Sequence, residues 1–593
     1  MSSPINHPQA DVVILGLGQC GGPVAAELST AGYKVVGLER GPFWDYSVDW
    51  AVGNKFDEYA IMVNRKFDFP CSKATFTMRN NGNQFALPVR RYTKDVQVIS
   101  MGYGVGGMGA HYAGAMGRIG PWAFQAYSNT VNKYGTSVLP SDHDLEDWPI
   151  TYDEASPYYA AWEKAMGISG TNQDPFEPGI TYPTKPHPFT PVGTLFHDTA
   201  EGLGYHPVPA PSALISSGYT NQYGISRNAC VYCGWCAGAC NFPCEVGAKG
   251  SSHVTTIPAA VSSGNFDLRT FSTVFRIDTD LSGKNATGVR YYDASGNVHV
   301  QPAKVVYNAL WGFNLIRMIM TSGIGTNYNP VTQTGSLGRS PTELGDASLG
   351  TTLGTINIGA NAYCAGNGWG GGYVMNDFAD DNFDHKGLNF IGGGPIYLGN
   401  YPGSGPNNFT FLSPSPTNFG SAWKATQKDS KLPTKQLLVS TLFGGPQIPE
   451  KSMYIDLDPH YSDVYGDPLP RVTMDYGTNE LNSAKFVLQK YADIMTKMGC
   501  TNVTTIPGNG VADYHMDDYQ AHTRGGARMG SNPATSVFNK WCQCWDMNNL
   551  FAAGEILNTF GDNTTAGTHV AGMMAYLAAD GIKNYLKSPG PLV

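Results

Sequence analysis

Five cysteines crowd into fifteen residues, Cys230-x2-Cys233-x2-Cys236-x3-Cys240-x3-Cys244. Thiolates two and three residues apart can converge on one inorganic cluster, as the bacterial ferredoxin spacing does. Disulfides would leave one of the five thiols over. Structural zinc usually takes two ligand pairs a dozen or more residues apart, and no second pair follows. The density favours an iron-sulfur cluster, with zinc and disulfides as the alternatives. A second pattern, Gly16-Leu17-Gly18-Gln19-Cys20-Gly21, follows an apolar run at 11–15 and has the spacing of a dinucleotide fingerprint. Gly16 permits a tight turn, Gly18 lets the backbone approach a pyrophosphate, and Gly21 lets the next helix pack closely, its N-terminus facing the phosphates. Glu39, 23 residues after Gly16, is placed to accept from a ribose hydroxyl pair.

Positioning these groups needs a βαβ unit, and the pattern predicts a strand at 11–15, a helix over 24–31 and a strand over 34–38. A glycine-dense stretch at 102–117 would let backbone lie against a flat cofactor. Short alternating strands over 266–307 carry a hairpin at 293–297, and a helix is expected over 313–320. Residues 345–510 show no nucleotide signal; a strand at 436–442 and a helix at 481–498 suit a sheet-based substrate domain. A strand, a loop and a helix over 549–585 would close the fold.

The 593 residues allow two or three packed units, and 41% hydrophobic with 14% charged residues exclude a disordered chain. The net charge of −9, without a Lys/Arg-rich run, argues against nucleic acid and leaves a small substrate. There is no uninterrupted apolar stretch of about 18 residues and no basic-apolar pattern at the N-terminus. The chain is therefore expected to carry no membrane anchor or export address of its own.

Four motifs occur in order: the fingerprint ending in Glu39-Arg40-Gly41, the loop Val105-Gly106-Gly107-Met108-Gly109-Ala110-His111-Tyr112, the helix end Ser322-Gly323-Ile324-Gly325, and His522-Thr523-Arg524-Gly525-Gly526-Ala527-Arg528-Met529-Gly530, continued by Asn549-Leu550-Phe551-Ala552-Ala553-Gly554-Glu555. On these residues the chain resembles the glucose-methanol-choline (GMC) flavoprotein oxidoreductases. The resemblance implies an α/β fold, a Rossmann-like FAD-binding domain of GMC type with an inserted sheet-based α+β substrate domain. The expected division is 1–340 for the first part of the FAD domain, with the cysteine segment at 226–250, then 341–510 mainly for substrate, and 511–593 for the return to the FAD domain. Implied FAD contacts are Gly16, Gly18, Gly21, Glu39, Arg40, Gly106, Gly107, His111, Gly554 and Glu555. His111 stands where some relatives attach the flavin covalently, and Tyr112 stands where many carry Trp. The resemblance also implies a catalytic pair, the first member being His522, whose neutral imidazole suits removal of a hydroxyl proton. Two residues compete for the second place: Asn563, which fits the local Asn-x-Thr pattern better, and His569, which sits further along.

The 230–250 segment is similar to that of the large subunits of bacterial membrane-associated flavin dehydrogenases of sugars and sugar acids. This likeness implies a 3Fe-4S cluster on three thiolates, Cys230, Cys236 and Cys244 first, then Cys233, with Cys240 the departure from pattern. It implies oxidation of a secondary alcohol of a sugar acid, gluconate to 2-keto-gluconate foremost. A polyol, an aldose, a keto-sugar acid, or an oxygen-reducing sugar oxidase with a structural cysteine segment are the alternatives. The implied partners are a small subunit with a twin-arginine signal and a multihaem cytochrome c that feeds ubiquinone, on the periplasmic side of the bacterial inner membrane. Arg524, Arg90 and Arg91 are candidates to meet a substrate carboxylate, whereas Arg528 reads as a residue that holds its loop. Cys542 and Cys544 are given no chemistry.

Overall fold

The structure is a computed structural model and describes residues 3–49, 77–79, 90–91, 103–110, 112–177, 179–233, 244–343, 350–357, 370–398, 420–422, 424, 435–441, 445–474, 476–507, 522–560 and 567–592. The main sheet is built on β1 (Ala10–Leu15), β2 (Val35–Leu38), β3 (Phe266–Arg269), β4 (Thr273–Thr279), β5 (Ala286–Tyr292) and β6 (Val298–Asn308), in the spatial order β4-β5-β6-β1-β2-β3. β7 (Leu550–Ala552) and the short strand Ile5–Asn6 also pair with β6. The strands β6, β1, β2 and β3 run parallel, with Val305 opposite Val12, Val12 opposite Val35 and Val35 opposite Phe266. Parallel strands are covered on both faces and read as continuous apolar runs, which is why Val12, Val13, Ile14 and Leu15 are all fully buried.

Helix α1 (Gly21–Thr30) joins β1 to β2 and starts three residues earlier than the apolar pattern predicts, because Pro23 is tolerated in a first turn. It packs on α5 (Gly567–Lys587), which in turn packs on α2 (Tyr152–Met166). A capping box starts α2, Thr151 Oγ1 accepting from Glu154 N at 3.2 Å and Glu154 Oε2 from Thr151 N at 2.7 Å. Helix α3 (Phe313–Thr321) follows β6 and buries Phe313, Leu315, Ile316 and Ile319. Helix α4 (Thr478–Lys497) begins before the predicted 481, since Glu480 accepts from Gly477 N at 2.7 Å and satisfies the start of the helix there.

A second sheet has the order Thr523–Gly526, Arg339–Glu343, Tyr454–Ser462, Pro468–Thr473, Thr77–Arg79, Arg90–Arg91. A three-stranded sheet, Lys435–Thr441 beside Gly350–Asn357 beside Thr501–Pro507, carries α4. The second sheet thus draws strands from both sides of the 341–510 block. Its strand at 523–526 begins directly after His522, so the sheet fixes where that imidazole stands.

Candidate flavin and catalytic site

The fingerprint turn works by close backbone approach. Gly16 has φ +84°, a conformation side chains rarely adopt, and a Cβ on Gly21 would lie 2.0 Å from Gly16 O. Glu39 is buried, and both its oxygens hold backbone: Oε2 accepts from Leu17 N at 3.0 Å, Oε1 from Gly41 N at 3.0 Å and Gly104 N at 3.2 Å. Burial raises its carboxyl pKa and these amides pull it partly back. Glu39 therefore ties the fingerprint to the 103–110 loop. Across the gap Gly107, at φ +54°, lies close enough to Gly18 that an added Cβ would be 3.1 Å from Gly18 Cα.

These residues wall a cavity of about 310 Å³. Gly16, Gly18, Glu39, Arg40, Gly107, Gly554, Glu555 and His522, all expected from the sequence, line it. Gly21 and Gly106 do not: Gly21 packs on the turn, and Gly106 packs on His253, to whose Nδ1 a Cβ would come within 2.8 Å. His111 and Asn563 lie outside the described residues. The backbone cradle and the acidic residue at the end of β2 fit an FAD. Sequence reading missed Gln19, Met108, Tyr112, Asn314 and Thr568 on the same wall; Tyr112 and Gln19 stood inside motifs already singled out, whereas Asn314 carried no local signal.

His569 is placed elsewhere. It is fully buried on α5 and absent from the cavity wall. Its Nδ1 accepts from Gly117 N at 3.2 Å, and its Nε2 lies 3.1 Å from Glu163 Oε1, within ion-pair reach but off line for a hydrogen bond. Glu163 in turn takes Arg118 in a fork, Nε to Oε1 at 2.7 Å and Nη2 to Oε2 at 2.8 Å. Burial keeps the imidazole pKa below its ordinary value, with Glu163 partly offsetting it. Burial pushes the Glu163 carboxyl up, but His569 and Arg118 outweigh it and leave the pKa lowered. Of the two candidates for the second catalytic place, His569 is thus off the cavity wall, where its neighbour Thr568 stands, and Asn563 lies outside the described residues.

The arginines of the 522–530 run also have structural partners. Arg524 is fully buried with Nε 3.4 Å from Glu555 Oε2. Arg528 donates to Asp144 O at 2.6 Å and Thr535 O at 2.9 Å and pairs with Glu146 at 3.1 Å, which holds the loop. Arg90 and Arg91 form an edge strand of the second sheet. Cys542 and Cys544 are buried free thiols, their pKa values raised by burial, so neither is a reactive thiolate.

Of the cysteine segment, Cys230, Cys233 and Cys244 are described and each is part-exposed; Cys236 and Cys240 lie outside the described residues. Among the described residues no three His, Cys, Asp or Glu side chains converge as a metal site. The segment is closed at its neck by Ile215, whose O accepts from Cys230 N at 2.9 Å while its N donates to Ala248 O at 3.2 Å. Tyr232 N donates to Cys230 Sγ at 3.4 Å, and Tyr232 adopts φ +54°. A backbone N–H aimed at sulfur is one contact that a cluster-ligating thiolate would also use. The segment abuts the cavity through Tyr112, whose OH donates to Gly250 O at 2.6 Å and whose O accepts from Lys249 Nζ at 2.6 Å.

Comparison with known proteins agrees with this architecture. Residues 128–361 and 449–555 match the GMC oxidoreductase family. The gluconate 2-dehydrogenase flavoprotein of Pantoea cypripedii is 33% identical over 99% of this chain and 95% of its own length. The fructose dehydrogenase large subunit of Gluconobacter japonicus is 25% identical over 98% of both chains. Among solved structures, a formate oxidase of Aspergillus oryzae superposes with a TM-score of 0.60 at 13% identity, covering 99% of this chain and 100% of that one, and so shares the fold. The chain belongs to the GMC oxidoreductase family and is an FAD-dependent oxidoreductase acting on CH–OH groups.

Proposed function

We propose that the chain is the flavoprotein subunit of a dehydrogenase that oxidises a secondary alcohol of a sugar acid, gluconate to 2-keto-gluconate, and passes electrons outward through an iron-sulfur cluster. The observation that carries this reading is the contact between cavity and cysteine segment: Tyr112 lines the cavity and is bonded to both Lys249 and Gly250. That contact brings the end of the 226–250 segment to the cavity wall, where a one-electron relay from the flavin would have to start. The 33% identity to a gluconate 2-dehydrogenase flavoprotein over nearly the whole chain supports the substrate.

In this reading FAD, held by the fingerprint, Glu39, Arg40 and the Gly107 and Gly554 loops, supplies the acceptor for the substrate's hydride. His522 takes the hydroxyl proton at an imidazole nitrogen, and Asn563 holds the substrate oxygen. His569, facing Glu163, keeps the 117 backbone in place instead. His111 is the candidate for a covalent flavin link. A cluster on Cys230, Cys236 and Cys244, with Cys233 or Cys240 in reserve, supplies one-electron transfer to a multihaem cytochrome c and so to ubiquinone. No helix among the described residues is long and apolar enough to cross a membrane. The likeness to a flavoprotein subunit supports attachment on the periplasmic side through partners, a small subunit with a twin-arginine signal and the cytochrome. A keto-sugar substrate is the second reading, favoured by the likeness to a fructose dehydrogenase large subunit. Turnover of gluconate and fructose with ferricyanide or a quinone analogue, under argon and in air, tests both: gluconate turnover independent of oxygen supports the proposal, and turnover only in air refutes it.

A further inference from the structure

The short strand Ile5–Asn6 lies along the start of β6, with Ile5 opposite His299 and Asn6 opposite Val300, and His7 N donates to Val300 O at 3.1 Å. Terminal residues stay loose unless something ties them down, and a two-residue strand offers few backbone bonds. What ties this one is a side-chain contact. His7 Nε2 stands 2.9 Å from His299 Nδ1 and 3.1 Å from the Tyr291 hydroxyl oxygen. The rings stack, with centroids 5.1 Å apart for His7 and His299 and 4.8 Å apart for Tyr291 and His299.

Two imidazole nitrogens at that distance share one proton, and the neighbours decide which ring donates. His299 Nε2 lies 3.1 Å from Asp293 Oδ2, whose carboxyl is held well below the ordinary carboxylate range by hydrogen bonds from Asn297 and His299. An ionised carboxylate only accepts, so His299 carries its proton on Nε2 and leaves Nδ1 as an acceptor; His7 Nε2 must then donate. The other charged groups at the contact are on β3. Arg269 donates to the Tyr291 hydroxyl oxygen at 3.1 Å and to Gln301 Oε1 at 2.9 Å and pairs with Asp267 at 2.6 Å. Burial, then Arg269 and His299, lower the His7 pKa, with Asp267 acting the other way. A first added proton can be taken at His7 Nδ1, away from the contact. A second has only His299 Nδ1 to enter, where it would meet the His7 N–H, and two N–H groups facing each other make no hydrogen bond.

We propose that the contact between His7 and His299 is a pH-sensitive latch on the N-terminal strand, closed near neutral pH and released in acid, when both imidazoles are charged. The closed form binds one proton fewer than the open form once the pH falls below the ordinary histidine value of 6.5. Acid therefore favours opening, and the Ile5–Asn6 strand comes away from β6.

The test is amide hydrogen exchange of the purified holoenzyme, read by mass spectrometry and corrected for intrinsic exchange, from about pH 4.5 to about pH 7.5. In the wild type the protection of the 5–7 peptide should fall about tenfold per pH unit below about pH 6, the slope for one extra proton in the open form. The peptide covering Ala10–Leu15 should keep its protection. His7→Gln and His299→Gln remove the conflict, because a side-chain amide can present either its NH₂ or its oxygen to the remaining imidazole. At least one of the two should therefore keep the strand protected across the whole range. Flat protection in the wild type, the wild-type slope in both variants, a strand unprotected at every pH in both, or a loss shared by the 10–15 peptide would overturn the inference.

Discussion

Glu163→Gln tests the reasoning about buried charge. The carboxylate sits between the Arg118 guanidinium and the His569 ring, and exposure of Arg118, Glu163 and His569 is 4%, 1% and 0%. Gln has nearly the same volume, so no cavity forms, but it leaves the Arg118 guanidinium buried opposite a neutral amide. Breaking a buried pair from one side costs about 3–5 kcal/mol. At ~1.4 kcal/mol per tenfold, that raises the unfolded fraction by roughly two to three and a half orders of magnitude. Equilibrium urea unfolding followed by far-ultraviolet circular dichroism reads this as a lower midpoint. Adding Arg118→Met removes the stranded charge and should restore most of the loss. The pH dependence has a definite sign. Glu163 has its pKa lowered in the fold, so its contribution is present above the ordinary value of 4.5 and fades as pH drops below it. His569 also has a lowered pKa, so below its ordinary value of 6.5 the unfolded chain binds a proton that the folded chain resists, and stability falls further. The wild type should therefore lose stability from near pH 6.5 downward, and Glu163→Gln should lack the lower, carboxylate part of that loss. A single variant within about 0.5 kcal/mol of wild type, the range of an ordinary surface change, would refute the argument.

Replacing His522 with Ala should lower kcat by about two to four orders of magnitude, the usual share of a general base, with the flavin spectrum retained; near-normal turnover would remove His522 from proton transfer. His569→Asn should weaken stability more than kcat, since the ring is off the cavity wall, and a loss of kcat matching that of His522→Ala would show the opposite. Gly21→Ala places a Cβ 2.0 Å from Gly16 O and should abolish FAD retention on gel filtration, whereas a fully loaded variant would mean the turn can relax.

The βαβ unit was legible because its signal is local: an apolar run, three glycines at fixed spacing and an acid at the end of the second strand all belong to 29 consecutive residues, 11–39. The cavity wall was legible in part for the same reason, Gly107, Gly554 and His522 each standing in a short motif. The second sheet was less so, since it pairs strands at 77–79, 339–343 and 523–526 that are remote in sequence and leave no pairing signal in any window. The sequence could not settle between Asn563 and His569, because spacing along a helix does not say which face a residue presents, and the partners that hold His569, Gly117 and Glu163, lie more than 400 residues upstream.

The central claim joins a flavin site to a thiolate cluster and a sugar-acid substrate. The measurement that tests it most directly is iron and acid-labile sulfide content of the purified protein, with its visible spectrum before and after gluconate under argon. Iron with sulfide, and a flavin band that bleaches on gluconate, is the result this account predicts. Zinc or no metal, with the flavin reoxidised by air alone, would contradict it and leave an oxidase whose cysteine segment is a structural staple.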